Sequence, residues 1–165
     1  LGAKRINETI ERSRTALAAA GIQVLHIVGD KSDFEPESSK GFARIAYCDR
    51  MDLAITAADF AVSRAGASTV SEFAAVGLPA VYVPYPVGNG EQAFNVVDLQ
   101  AAGGALMVKD AEFTPEFVSQ QVIPVVSNSR LLKQMVDSAK SAGVIDGAER
   151  LYQLVKGVAS RTVEH

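Results

Sequence analysis

The segment Ser63-Arg64-Ala65-Gly66-Ala67-Ser68-Thr69-Val70-Ser71-Glu72 holds the densest set of groups able to grip an anion. Its small residues, Gly66 and Ala67, let a ligand come close to the backbone. Ser68 and Thr69 fall where a helix is expected to begin. There the first amides lack partners and the helix dipole is positive, so a diphosphate is a natural occupant. Glu72 adds a carboxylate one turn further on. A second reading of the same spacing is purely structural. Thr69-x-x-Glu72 has the form of a capping box, which would use both side chains on the helix itself.

A second set follows at Gly88-Asn89-Gly90-Glu91-Gln92-Ala93-Phe94-Asn95. A turn rich in glycine delivers Glu91 and Gln92 to another helix start. An acid beside an amide can accept from and donate to sugar hydroxyls. The plainer alternative is a solvated first turn carrying a favourable acid. Elsewhere the chemistry is thin. His26 lies inside an apolar run and is expected to be a packed structural residue. No His, Cys, Asp or Glu cluster has the spacing of metal ligands, and no nucleophile–base–acid set is legible. No G-x-G-x-x-G follows a strand with an acidic residue about 20 positions later, which argues against a dehydrogenase.

The elements that must position these groups alternate along the chain. A helix is expected over 4–20, stopped at Gly21, then an extended run Gln23–Val28. Residues 30–41 are polar and contain a proline, which predicts a surface loop. Arg44–Tyr47 reads as extended and 50–57 as a short helix. Phe60–Ser63 reads as a strand, followed by a helix from Thr69 to Val76 that Gly77-Leu78-Pro79 breaks. Ala80–Val83 reads as a strand, Pro84–Gly90 as a loop, Glu91–Ala102 as a helix and Ala105–Val108 as a strand. Thr114-Pro115 supplies an N-cap with proline at the first helical position, ahead of helices over 115–126, 129–142 and 146–159. Such alternation predicts an α/β domain with a parallel sheet covered on both faces. Ligands bind beyond the carboxyl ends of strands in such sheets, so function is expected in the loops after Tyr47, Ser63 and Val83.

The 165 residues suit one domain with a proper core. With 48% hydrophobic and 21% charged residues the composition is that of a soluble globular domain, and the net charge of −3 with no basic stripe argues against nucleic acid. Cys48 is the single cysteine, which excludes an internal disulfide and suits a reducing compartment. No apolar run approaches the roughly 18 residues that cross a bilayer, and no signal peptide is visible. Cytoplasmic residence is expected, with any membrane contact peripheral. The chain opens on Leu1 rather than Met, as an excised piece of a longer protein would, and His165 is given no role.

Taken together, Arg64-Ala65-Gly66-Ala67-Ser68-Thr69 with Glu72, then Gly77-Leu78-Pro79, then Gln92 and Asn95, closely resemble the MurG family of GT-B glycosyltransferases. Gly88-Asn89-Gly90-Glu91-Gln92 is similar to this loop in one branch of that family. The resemblance runs from Leu1 to about Leu154. It implies a Rossmann-like three-layer domain, 1–165, serving as the donor-binding half of the enzyme, with the acceptor-binding half absent. It implies UDP-N-acetylglucosamine as substrate, no catalytic metal or other cofactor, and a lipid-linked muramyl-pentapeptide acceptor reached through the absent half. The parent enzyme would lie peripherally on the cytoplasmic face of the cell membrane.

Roles follow by position. Glu72 would grip the ribose diol. Ala67, Ser68 and Thr69 would offer donors to the phosphates, and Arg64 would either face the diphosphate or make a structural ion pair. Glu91 and Gln92 would hold the sugar hydroxyls, and Asn95 would orient Gln92. The backbone at Cys48, in Tyr47-Cys48-Asp49-Arg50-Met51, would read the uracil edge. No catalytic residue is expected in this chain.

Two departures stand out. Many family members carry His or Gln where Glu91 stands, and a carboxylate can only accept. The family's Gly-Gly-Ser phosphate loop falls just upstream of Leu1. Only Leu1-Gly2-Ala3 remains of it, with Gly2 as a remnant, and the first strand of the domain is expected to be missing. Two alternatives stay open: the donor domain or subunit of another UDP-sugar GT-B transferase, and a non-catalytic nucleotide-binding module.

Overall fold

A computed structural model describes residues 3–87, 90–144 and 146–162. The chain folds as the expected α/β domain. It opens with helix α1, Lys4–Ala19, then strand β1, Val24–Ile27. A hairpin of β2, Glu37–Ser39, and β3, Phe42–Ile45, precedes α2, Met51–Ala57. The units β4, Ala61–Ser63, with α3, Ala67–Val76, and β5, Ala80–Tyr82, with the short helices α4, Glu91–Phe94, and α5, Val97–Ala101, lead to β6, Ala105–Met107. A 3-10 turn, Asp110–Glu112, and a helical run follow: α6, Pro115–Phe117, a π-helical turn Val118–Val122, and α7, Ile123–Val126. Helices α8, Ser129–Ala142, and α9, Gly147–Thr162, complete the described chain.

Among the described residues the strands form two sheets of three, ordered β1-β3-β2 and β4-β5-β6. All pairings are parallel except β2 with β3. Strand β5 shows why both faces of the sheet must be covered. Val81 and Val83 pack with Ile6, Ile10 and Leu17 of α1 and with Val118 and Val122. Ala80 and Tyr82 face the other way, against Phe73 of α3, Leu99 of α5 and Ala139 of α8. Residues of one strand alternate sides, so a run that is apolar throughout is buried on both. Ala80, Val81, Tyr82 and Val83 are all fully buried.

Several expectations need correction. Residues 30–41 are not one loop, because Glu37–Ser39 pairs antiparallel with residues 42–44 of β3 across a two-residue turn. That turn ends at Gly41, whose φ of 78° suits a tight hairpin. The strand expected at Arg44–Tyr47 begins two residues earlier, at Phe42. The helix expected over Glu91–Ala102 is interrupted between Phe94 and Val97. Helix α3 starts at Ala67, two residues before Thr69. The run over 115–126 contains a π-helical turn just ahead of Pro124, which has no amide to continue an α-helical ladder.

Other boundaries held. Gly77 ends α3 with φ 75°, and the Thr114 hydroxyl accepts from the Phe117 amide at 3.3 Å, with Pro115 at the first helical position. Among the described residues no helix is long and apolar enough to cross a membrane.

Helix α1 is fastened to the first sheet by charge as well as packing. Arg44 of β3, buried, pairs with Glu11 of α1 and with Glu37 of β2 at 3.0 Å. Arg14 of α1 reaches the other Glu37 oxygen at 2.5 Å and lies 4.0 Å over the Phe42 ring. His26 sits beneath them as a packed residue. One ring nitrogen faces Asn7 Oδ1 at 3.2 Å, and Asn7 in turn donates to the Val28 carbonyl. The other, Nδ1, is 3.4 Å from Glu11 without the angle of a hydrogen bond. Burial pushes the His26 pKa down, and the Arg14 hydrogen bond holds Glu37 below the usual carboxylate range.

Candidate functional site: the mouth of β4 and β5

Strand β4 ends at Ser63, and three residues later the chain turns into α3. The turn residue, Gly66, has φ −64° and ψ 143°, the extended geometry of an N-cap with no side chain to offer. The first bond back into the helix is Val70 N–H to the Gly66 carbonyl, at 3.0 Å. The amides of Ala67, Ser68 and Thr69 precede that bond, so the helix itself cannot satisfy them. Ala67 and Ser68 are exposed and Thr69 is half-buried. The cradle is therefore open to solvent rather than roofed by side chains.

Gly66 is not demanded by the fold. A Cβ there would meet only Thr69 Oγ1, at 4.0 Å. Its φ is one that any residue adopts. The space in front of it is free for a ligand.

The capping-box reading of Thr69 and Glu72 is not realised. With Gly66 at the cap, Thr69 is the third helical residue and Glu72 the sixth. Glu72 stands four residues after Ser68, on the same face of α3. Its carboxylate is exposed and takes part in no hydrogen bond or ion pair among the described residues. An acid without a structural task, one turn beyond open amides, can accept from the hydroxyls of a bound molecule.

The loop after β5 is tied to the loop after β4 through α4. Gln92 Oε1 accepts from the Ala65 amide at 3.3 Å and from the Tyr85 amide at 2.9 Å. Asn95 Nδ2 donates to the Ala65 carbonyl at 2.9 Å. Ala65 is wholly buried and precedes the cap residue. The oxygen of Gln92 is thus spent on the backbone, leaving Nε2 as the group it can offer a ligand. Glu91, exposed at the first position of α4, can only accept. The acid and the amide remain complementary, with their roles divided.

Arg64 is engaged structurally. Its Nη1 donates to Asp110 Oδ1 at 2.6 Å and to the Val83 carbonyl at 3.1 Å, and its guanidinium lies 5.4 Å from the Tyr85 ring centre. Of the two roles that the sequence left open, the ion pair is present. Cys48 is a half-buried free thiol in the loop between β3 and α2, beside exposed Tyr47 and Asp49. No hydrogen bond or ion pair joins it to the other candidates among the described residues. Gly2, Gly88 and Asn89 lie outside the described residues.

Two features escaped the sequence. Asp110 belongs to no motif, and its pairing with Arg64 spans 46 positions. The double grip on Ala65 spans about 30, and nothing local announces it.

Comparison with known proteins bears on the family and the fold. The profile of the glycosyltransferase family 28 C-terminal domain matches residues 1–151. A curated protein of Clavibacter sepedonicus named UDP-N-acetylglucosamine--N-acetylmuramyl-(pentapeptide) pyrophosphoryl-undecaprenol N-acetylglucosamine transferase is 50% identical over 161 residues, covering 97% of this chain and 44% of its own. The protein of the same name from Leifsonia xyli is 47% identical over 156 residues, covering 94% and 44%. The chain thus spans a little under half the length of the curated relatives it matches. Among solved structures, MurG of Acinetobacter baumannii superposes with a TM-score of 0.74 at 26% identity, over 95% of this chain and 47% of that one. The spinosyn forosaminyltransferase shares the fold alone, with a TM-score of 0.62 at 19% identity.

Proposed function

The chain belongs to the glycosyltransferase family 28 C-terminal domain family, and from that premise we propose that it is the donor-binding half of an enzyme that transfers N-acetylglucosamine from UDP-N-acetylglucosamine to a lipid-linked muramyl-pentapeptide. Residues 1–165 form one donor domain in this reading. The names of the relatives at 47–50% identity support this substrate. The single observation that carries it is the open start of α3, with Glu72 one turn along and without a structural partner among the described residues.

In this reading the Ala67, Ser68 and Thr69 amides receive the diphosphate and Glu72 accepts from the ribose hydroxyls. The backbone at Cys48 reads the uracil edge. Glu91 accepts from one sugar hydroxyl and Gln92 Nε2 donates to another. Arg64 contributes as a strut beneath the loop. A muramyl hydroxyl displaces the diphosphate at the anomeric carbon, with inversion. As that bond breaks, negative charge gathers on the leaving diphosphate, where amides already aimed at it need no reorganisation. Acceptor binding, the general base and docking to the cytoplasmic face of the membrane belong to the part of the relatives that this chain does not span.

Calorimetric titration of the chain with UDP and with UDP-N-acetylglucosamine, beside its Glu72→Ala variant, tests the proposal. Losing a carboxylate that accepts two hydroxyls is expected to weaken both ligands by between about tenfold and a hundredfold, the worth of charge-assisted hydrogen bonds. Equal affinity in the two proteins would remove Glu72 from the site. Sugar transfer by the chain alone is not expected, and measurable turnover would refute that division of labour.

A further inference from the structure

Asp110 opens the 3-10 turn after β6 and divides its two carboxylate oxygens between arginines from distant parts of the chain. Oδ1 accepts from Arg64 Nη1 at 2.6 Å and Oδ2 from Arg5 Nε at 2.9 Å. The Asp110 and Arg64 side chains are only 13% and 16% exposed, whereas Arg5 is 48% exposed. Arg64 Nη1 also reaches the Val83 carbonyl. One carboxylate therefore fastens the first turn of α1, the loop between β4 and α3, the chain leaving β5 and the turn leaving β6. Helix α1, like α3, starts with amides that its own ladder cannot satisfy, because its first bond is Asn7 N–H to the Ala3 carbonyl.

We propose that Asp110 is a positioning residue of the donor site, which fixes the start of α1 against the start of α3 so that both sets of opening amides address one diphosphate. The proposal rests on the nucleotide-binding reading above. Asp110 is not itself a ligand group, since a carboxylate repels a diphosphate.

Two effects compete when this charge is removed. Losing a negative charge near an anionic ligand would by itself tighten binding. Asp110→Asn, however, replaces one acceptor oxygen by an NH₂ donor, which cannot accept from a guanidinium. One arm of the strut is then released, and the two helix starts are no longer held in register. That repulsion is screened by solvent salt within about 8 Å. The mispairing acts at contacts of 2.6 and 2.9 Å, so the loss of position prevails.

The test compares dissociation constants for UDP and for uridine, by NMR titration, in the unaltered chain and in Asp110→Asn, Arg5→Gln and the double variant. Asp110→Asn is expected to weaken UDP by about two- to fivefold, the range of one partly exposed ion pair, and to leave uridine unchanged. Arg5→Gln is expected to reproduce part of that loss and to add nothing in the double variant. Unchanged or tighter UDP binding by Asp110→Asn overturns the proposal, and so does equal weakening of UDP and uridine, which marks general loosening. If Asp110→Asn does not fold, Arg5→Gln decides alone, because its half-exposed side chain can be replaced without disturbing the core. A selective loss of UDP affinity supports the strut and no change removes it. If the unaltered chain binds neither ligand, the nucleotide reading has failed and this proposal falls with it.

Discussion

Asn95 donates to the carbonyl of Ala65 at 2.9 Å, the peptide group that leads directly into the cap of α3. Gln92 holds the amide of the same residue, so α4 sets the position of the loop that leads into α3, where the diphosphate is proposed to bind. In the proposed site the sugar side and the phosphate side are therefore one mechanical unit.

Gln92→Glu separates the two jobs of that side chain. A carboxylate still accepts from Ala65 and Tyr85 but has no Nε2 to donate. The fold is expected to stay close to the parent, and the added charge repels the diphosphate of UDP and of UDP-N-acetylglucosamine alike. The extra affinity of UDP-N-acetylglucosamine over UDP is expected to fall by roughly tenfold, one hydrogen bond to a sugar hydroxyl. Paired titrations with the two nucleotides read this directly. An unchanged ratio would place the sugar elsewhere.

Asn95→Ala should behave differently, because it removes a structural donor. The Ala65 carbonyl loses its side-chain partner at a cost of about 1–2 kcal/mol, which lowers the melting temperature by a few degrees in a domain of this size. UDP affinity is expected to fall with it. A variant as stable as the parent would show that the grip on Ala65 is slack.

Gly66→Ala probes the space in front of the cradle. Neither φ nor any neighbour demands glycine there. Alanine is a slightly poorer cap than glycine, so a stability loss below about 1 kcal/mol is expected. The added methyl group stands where the phosphate would approach, and UDP affinity should drop by at least tenfold. Thermal melts and UDP titration of the same sample separate the two. Normal binding would show that the ligand does not approach this face.

The fold was legible where local rules decide it. Gly21 and Gly77 stop helices, Thr114-Pro115 starts one, and the apolar run Ala80–Val83 gives a strand buried on both sides. β2 was not legible. Its Glu37, Ser38 and Ser39 carry no apolar face, and they pair because Gly41 folds them onto β3 and because Glu37 meets Arg14 and Arg44. The start of α3 was misplaced because Thr69 and Glu72 imitate a cap, whereas small Gly66 takes that position without a side chain. The site residues were legible as types at a spacing. Their tasks were not, since what Gln92, Arg64 and Asp110 do depends on contacts tens of residues away.

Acid should weaken the fold in two steps. His26, with its pKa pushed down by burial, prefers to take a proton in the unfolded chain. Its contribution is intact above the ordinary histidine value of about 6.5 and is lost as pH falls through it. Glu37, held low by Arg14, keeps its contribution above the ordinary carboxylate value and loses it only at more acid pH. Melting temperature is therefore expected to decline between pH 7 and pH 5.5. His26→Gln should flatten that first decline and leave the later one. A parent whose melting temperature is constant over that interval would contradict the assignment.

Tyr82 offers a check on the core. Its hydroxyl is fully buried and has no hydrogen-bond partner among the described residues, and burial pushes its pKa up. Tyr82→Phe deletes that unsatisfied group without changing the ring. The variant should melt at or above the parent temperature, by as much as about 1–2 kcal/mol in stability. A clear loss would reveal a partner for that hydroxyl.

The amides of Ala67, Ser68 and Thr69 carry the central claim, and their NMR signals report on it without any substitution. On titration with UDP those three backbone amides are expected to move furthest, downfield in the proton dimension as they take up phosphate oxygens. If UDP binds while they stay in place and the largest changes fall outside the mouth of β4 and β5, the start of α3 is not the diphosphate site.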